Sequence, residues 1–136
     1  MEKLNFISVV CLVLRDASGA VLATRRPPQK HLGCMWEFPG GKVESGERSK
    51  NALRREILEE LCISLGKLYP LTPVEHTYPE SRVRLIPYFS YQKERPRLIL
   101  REHADAKWIM PVDFEVLEWA PADIPIMREV QQRCMV

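Results

Sequence analysis

The sequence predicts a mixed α/β domain in which strands and helices share one core. Three observations lead there: a chain of 136 residues, a hydrophobic fraction of 46%, and β-rich runs interleaved with two helical segments. That length suits one compact domain covering residues 1–136.

Taken in order, residues 5–14 and 20–24 are β-rich, and Asp16-Ala17-Ser18-Gly19 between them is a hairpin signal. The unbroken apolar run Val9-Val10-Cys11-Leu12-Val13-Leu14 reads as a buried strand and lacks the layout of a cleavable leader. Residues 25–35 are polar and contain Pro27-Pro28, which predicts a loop. Residues 36–38 form a short strand ended by Pro39-Gly40-Gly41. A long helix is expected over 49–62. Two strands, 68–77 and 82–92, flank Tyr78-Pro79-Glu80-Ser81, and 106–110 is a further strand. A helical turn over 111–117 precedes a final helix at 124–133, with Pro125 in its first turn, where proline is tolerated.

Composition excludes several classes. No apolar run approaches the roughly 20 residues that span a bilayer, so no membrane partner is expected. A net charge of +2, with basic residues scattered among acidic ones, does not advertise a nucleic-acid polymer. Cys11, Cys34, Cys62 and Cys134 form no C-x-x-C pair and read as small buried hydrophobes in a reducing compartment, which makes the cytoplasm the default. His31, His76 and His103 lack zinc-like spacing and read as exposed or hydrogen-bonded side chains. No nucleophile elbow and no P-loop is present.

The predicted helix carries the chemistry. Glu56, Glu59 and Glu60 stand at i, i+3 and i+4 and share one face. At about 100° per residue, Glu60 falls close to Leu53, on the edge of the apolar stripe of Leu53, Ile57 and Leu61. Arg48, Lys50, Arg54 and Arg55 come early and the glutamates late, against the preference of the helix dipole for anions at its start. A cation among the glutamates relieves both problems, and oxygen-only ligands fit a hard ion, Mg²⁺ or Mn²⁺. Glu-x-x-Glu-Glu alone is more often a solvated acidic face.

The preceding residues change the balance. Gly41, five residues, Glu47, seven residues, then Arg55-Glu56-Ile57-Leu58-Glu59-Glu60-Leu61-Cys62-Ile63 resembles the Nudix box, G-x5-E-x7-R-E-U-x-E-E-x-G-U with U a bulky aliphatic. Cys62 stands where the box has its last glycine, a residue suited to left-handed helix caps. Thr24-Arg25-Arg26, Trp36-Glu37-Phe38-Pro39-Gly40-Gly41-Lys42 and Ala120-Pro121-Ala122-Asp123-Ile124-Pro125 resemble the MutT branch, most of all its CTP pyrophosphohydrolase members. The resemblance implies the Nudix α/β/α sandwich, a mixed sheet between helices.

It also implies roles. Glu56, Glu59 and Glu60 would bind Mg²⁺ or Mn²⁺ with the Gly40 carbonyl, and Glu102 is a weaker candidate as ligand or base. Arg55 would orient a box glutamate, and Glu47 would tie loop to helix. The implied reaction is attack of water on a nucleoside triphosphate to give monophosphate and pyrophosphate, with Glu56, or else Glu102, taking the proton.

Arg26, Glu37, Phe38, Arg82 and Asp123 are the substrate-binding candidates, with Tyr88 as a further aromatic. The 8-oxoguanine-selective relatives carry Asn where this chain has Asp123. An ionised Asp only accepts hydrogen bonds, so it fits the amino group of cytosine. CTP or dCTP is therefore the expected substrate, with 8-oxo-dGTP as the alternative. A non-hydrolytic nucleotide-binding module is disfavoured because all three box glutamates are present. The short chain disfavours dinucleotide or sugar-nucleotide substrates. A monomer or weak homodimer is expected.

Overall fold

The computed structural model describes residues 6–134. The start of the first expected strand, Asn5, lies outside them, as does the side chain of Cys134. Strands β1 (Phe6–Arg15), β2 (Val21–Arg25), β3 (Trp36–Glu37), β4 (Gly40–Lys42), β5 (Tyr69–Pro70), β6 (Val74–Tyr78), β7 (Ser81–Tyr91) and β8 (Asp105–Ile109) belong to one mixed sheet. Helix α1 spans Ser49–Leu61 and α2 spans Ile124–Cys134. β1 is central: it pairs parallel with β7 along its whole length and antiparallel with β2 and β4.

The apolar run of β1 explains the layering. Successive side chains of a strand point to opposite faces. Val10, Leu12 and Leu14 pack with Leu22 and with Ala52, Leu53, Ile57 and Leu61 of α1. Cys11 and Val13 point the other way and join Phe114, Trp119 and the α2 residues Ile126, Met127 and Val130. A strand covered on both faces has no polar face to show, hence the continuous hydrophobic run. The fold is the expected mixed sheet between helices.

Three expectations on local structure are corrected. Gly40–Lys42, expected as the stop after a strand, is itself a strand whose register sets Gly40 opposite Cys11 and Gly41 opposite Val10. Glycines carry no side-chain periodicity, so a strand built on them is invisible to pattern. A Cβ on Gly40 would run into the Val10 carbonyl, so only glycine permits this approach. The single strand expected over 68–77 is broken into β5 and β6. Tyr69 faces Phe89 and Pro70 faces Tyr88, whereas Val74 faces Leu85. Residues 71–73 thus oppose only 86–87, a bulge. Pro73 and Pro87 both lack the N–H that would continue the ladder. Finally, Cys34 and Cys62 are only partly buried, leaving Cys11 as the buried thiol among the described cysteines.

Two connections are each closed by a single residue. Asp16 closes the β1–β2 hairpin by accepting the Ser18 N–H at 2.9 Å, the Ser18 hydroxyl at 2.6 Å and the Ala20 N–H at 3.0 Å, while Arg95 Nε donates to its second oxygen at 2.6 Å. Helix α1 ends at Cys62, whose φ of 59° is left-handed and whose N–H donates to the Leu58 carbonyl. The helix therefore makes the exit glycine would give, with a residue that carries a Cβ.

Two outcomes are expected. Cys62→Gly should stabilise the fold by about 0.5–1 kcal/mol by relieving a left-handed non-glycine residue, read as a higher urea midpoint at unchanged slope. The hydrogen bonds from Ser18 and then Arg95 lower the Asp16 pKa from 3.8 to about 2. Its stabilising contribution is therefore complete above the unfolded value and is lost as pH falls through the folded one. Asp16→Asn should lower the urea midpoint at pH 7, and the gap to wild type should narrow as the pH falls from about 4 to 2.

Candidate active site

A cleft of about 660 Å³ opens beside α1, lined by Val9, Val10 and Cys11 of β1, by β4, and by the polar face of the helix. The side chains of Arg26, Glu37, Glu102, His103 and Asp123 line the same cleft. Of the residues singled out from sequence, Arg26, Glu37, Phe38, Gly40, Arg55, Glu56, Glu59, Glu60, Glu102 and Asp123 all border it. Arg82 does not: it lies at the start of β7 with its guanidinium 4.1 Å from the Phe6 ring centroid. Tyr88 packs into the core beneath α1, its hydroxyl bonded to Ser49.

The acidic end is organised by Arg55. Its Nε and Nη2 grip both oxygens of Glu47 at 2.8 and 2.9 Å, Nη1 donates to Glu56 at 2.9 Å and to Glu59 at 3.4 Å, and Nη2 also reaches the Lys42 carbonyl at 3.1 Å. This fork ties the loop after β4 to the helix and sets the Glu56 rotamer. The Arg55 guanidinium holds the Glu47 carboxyl down at about 2, so Glu47 is an anion throughout the physiological range. Glu47 accepts from the Glu44 N–H as well.

The Glu56 carboxylate lies against Gly41, where any Cβ would collide with it. A side chain at Gly41 would therefore shift the Glu56 carboxylate from the place Arg55 gives it. Glu59 is 60% exposed. Glu60 is only 6% exposed, as its place on the edge of the apolar stripe foretells, and its Oε2 is buried without a hydrogen-bond partner. Burial first, then a hydrogen bond with Glu56 and the charges of Glu56, Glu102 and Glu37, push its pKa up to about 9.

A divalent ion fits this donor set. A buried Glu60 oxygen without a hydrogen-bond partner, beside Glu56, Glu59 and the exposed Glu102, is a set of oxygen donors whose ionised forms a bound cation would favour. Among the described residues no three such groups already converge in ligating geometry. Mg²⁺ does not require that they do, because it is commonly held by one or two carboxylates with water and substrate phosphate completing the shell.

The other end of the cleft is built by long-range contacts. Trp36 donates its N–H to Glu118 O at 2.8 Å and accepts from the Ala120 N–H at 2.8 Å, which lays the segment before α2 along β3. This delivers Asp123 to Phe38, whose N–H donates to Asp123 Oδ1 at 3.0 Å. The Phe38 ring is 2% exposed and packs 4.8 Å from Trp119, so it meets the cleft through its backbone rather than as a stacking face. Arg26 Nη1 donates to Glu37 at 2.8 Å and Arg26 Nε to the His31 carbonyl at 2.7 Å. Burial and the Glu37 charge raise the Asp123 pKa well above that of a free carboxyl. Burial thus works against the ionised form of Asp123, while the Phe38 N–H and the Arg26 charge work in its favour.

Sequence pattern marks His103 as an ordinary histidine, yet its side chain is buried at the meeting of the two ends, 3.3 Å from Glu37 Oε2. No spacing announces this, because its neighbours are far away in sequence.

Residues 5–130 match the NUDIX domain family. The chain is 32% identical to the CTP pyrophosphohydrolase of Escherichia coli over 91% of this chain and 90% of that protein. It is 24% identical to the 8-oxo-dGTP diphosphatase of the same organism, over 97% of this chain and 99% of that one. The fold of a MutT protein from Methanosarcina mazei superposes with a TM-score of 0.85 at 24% identity, covering 98% of this chain and 97% of the other. With the box, the mixed sheet between helices and the acid-lined cleft all in place, the chain belongs to the Nudix hydrolase family.

Proposed function

We propose that this Nudix hydrolase is a metal-dependent nucleoside triphosphate pyrophosphohydrolase with a preference for the cytosine nucleotides CTP and dCTP. The single observation that carries the reading is the row of Glu56, Glu59 and Glu60, the first two held by Arg55, on a helix docked beside Gly40 and Gly41. The cleft has room for one nucleotide. A bound divalent ion, Mg²⁺ or Mn²⁺, supplies charge shielding for the phosphates and acidifies a water.

Glu56, Glu59, Glu60 and the Gly40 carbonyl hold that ion, with Glu102 as a further ligand. Arg55 orients Glu56 through one carboxylate oxygen, and Glu56 is the first candidate to accept the proton of the attacking water. Glu102, exposed on the cleft wall, is the second candidate for that proton. Attack on the triphosphate then releases nucleoside monophosphate and pyrophosphate. Arg26, Glu37 and Asp123 meet the base, with Phe38 contributing its backbone. Nothing places Arg82 on this path. The substrate is a small molecule rather than a nucleic-acid polymer. The described helices include none long and apolar enough to cross a membrane, and the enzyme is assigned to the cytoplasm as a monomer or weak homodimer.

The cytosine preference draws support from the acidic base end, where Glu37 and Asp123 can accept from an exocyclic amino group. The buried state of Asp123 favours a second reading. A protonated Asp donates as well as accepts, as Asn does, and then suits 8-oxo-dGTP.

Pyrophosphate release from a panel of CTP, dCTP, UTP, dGTP and 8-oxo-dGTP with Mg²⁺ separates the two. Cytosine nucleotides should show the highest kcat/KM; an 8-oxo-dGTP rate above all of them establishes the second reading instead. Glu60→Gln should lower kcat more than about 100-fold, and Arg55→Gln about 10–100-fold by releasing Glu56 and Glu47. EDTA should abolish turnover in the wild type, and turnover that survives it would end the metal-dependent account.

A further inference from the structure

The segment carrying Glu102 and His103 is tied down on both sides of that pair. The Arg101 N–H donates to the Glu60 carbonyl at 3.1 Å, at the end of α1, and the Ala104 N–H donates to the Arg25 carbonyl at 2.9 Å, at the end of β2. These two bonds hold His103 at the seam between the glutamate row and the base end. Its side chain is 5% exposed, more deeply placed than that of Glu37 at 17%. Nε2 lies 3.3 Å from Glu37 Oε2 and 4.0 Å from Glu60 Oε2. With its hydrogen on Nε2, the imidazole donates to Glu37. Nδ1 is buried with no partner among the described residues. A polar atom left in that state costs free energy, so stability alone does not account for a histidine here.

The network around it has a direction. Arg26 takes one oxygen of Glu37 at 2.8 Å and is itself anchored on the His31 carbonyl. His103 faces the other oxygen. Remove the imidazole, and among the described residues Arg26 is the side chain left to steer Glu37.

We propose that His103 is the positioning residue for base selectivity: standing between Glu37 and Glu60, it fixes the Glu37 carboxylate in the direction from which the base is read. The inference rests on the pyrophosphohydrolase reading above. A carboxylate gripped at both oxygens from opposite sides presents its remaining lone pairs in set directions, and hydrogen-bond discrimination depends on direction. His103 is not placed on the reacting phosphates, so its effect should fall on which nucleotide is chosen rather than on the rate with the preferred one.

The test compares wild type, His103→Leu, His103→Gln, Glu37→Gln and the His103→Leu/Glu37→Gln double variant, each with CTP and 8-oxo-dGTP. In His103→Leu the ratio of the two kcat/KM values should move about tenfold towards unity, chiefly through KM of the preferred nucleotide. His103→Gln, which can set an amide N–H near the position of Nε2, should keep most of the ratio. The double variant should be no worse than Glu37→Gln alone. Should His103→Leu fail to fold, His103→Asn carries the same expectation, because its shorter amide does not reach Glu37. Titration of the free protein with Mn²⁺ should show affinity within about twofold of wild type, against the 10–100-fold typical of lost support to a ligand.

An unchanged selectivity ratio, independent addition of the two substitutions, or a tenfold loss of Mn²⁺ affinity each overturns the proposal. If the wild type cleaves neither nucleotide, it is the pyrophosphohydrolase reading that fails. The His103–Glu37 coupling is then read from urea midpoints of the same proteins, and additivity there overturns it.

Discussion

The structure turns on how acidic side chains are crowded onto the last two turns of α1 without the helix coming away from the sheet. Leu53, Ile57 and Leu61 lock the helix onto Val10, Leu12 and Leu14 of β1, and that docking carries Glu60 into a poorly solvated place beside the same seam. Arg55 answers part of the charge. Its fork grips Glu47 and Glu56 together, so the loop after β4 and the helix become one rigid unit. The remaining charge is what the cleft has to offer a cation. Repulsion among carboxylates opposes the helix, and the apolar face on the opposite side of the same turns outweighs it.

Backbone geometry on the facing strand is shaped by the same demand. β4 approaches β1 so closely that Gly40 has no room for a Cβ over the Val10 carbonyl, while a Cβ at Gly41 would displace the Glu56 carboxylate. The two glycines therefore answer to different neighbours, one to a strand and one to a carboxylate. At the far end of the cleft the organising contact is Phe38 N–H to Asp123, which joins residues 85 positions apart. It depends on Trp36 and Trp119, whose bridge brings the C-terminal segment onto β3. On the proposed reading, the acids that hold the metal come mainly from one helix, and the two that face the base, Glu37 and Asp123, come from separate stretches of chain.

The difference in origin decides what pattern alone can reveal. What is local to α1 is legible in the sequence: the shared face of Glu56, Glu59 and Glu60 and the partial burial of Glu60 come from 3.6 residues per turn, while the Arg55 contact was implied by the resemblance to the box. The left-handed exit at Cys62 shows why the lost box glycine does not disturb them. One residue accepts the unfavourable φ while the hydrogen bond to Leu58 is kept. The break between β5 and β6 is only half legible: Pro73 stands within the run, but Pro87, on the opposite strand, is remote in sequence. Arg82 matches a motif position yet rests on Phe6, a contact that exists only once β1 and β7 pair.

By itself, the sequence determined the layered mixed fold, the helix that bears the glutamates and the hairpin clip at Asp16, since each depends on side-chain periodicity or on groups a few residues apart. Tertiary structure alone decided the burial of Asp123 and its contact with the Phe38 N–H. It also decided the inward turn of Phe38 against Trp119 and the placement of His103 between Glu37 and Glu60. Those outcomes are set by desolvation and by approach of distant segments, and neither quantity exists until the sheet has closed around its core.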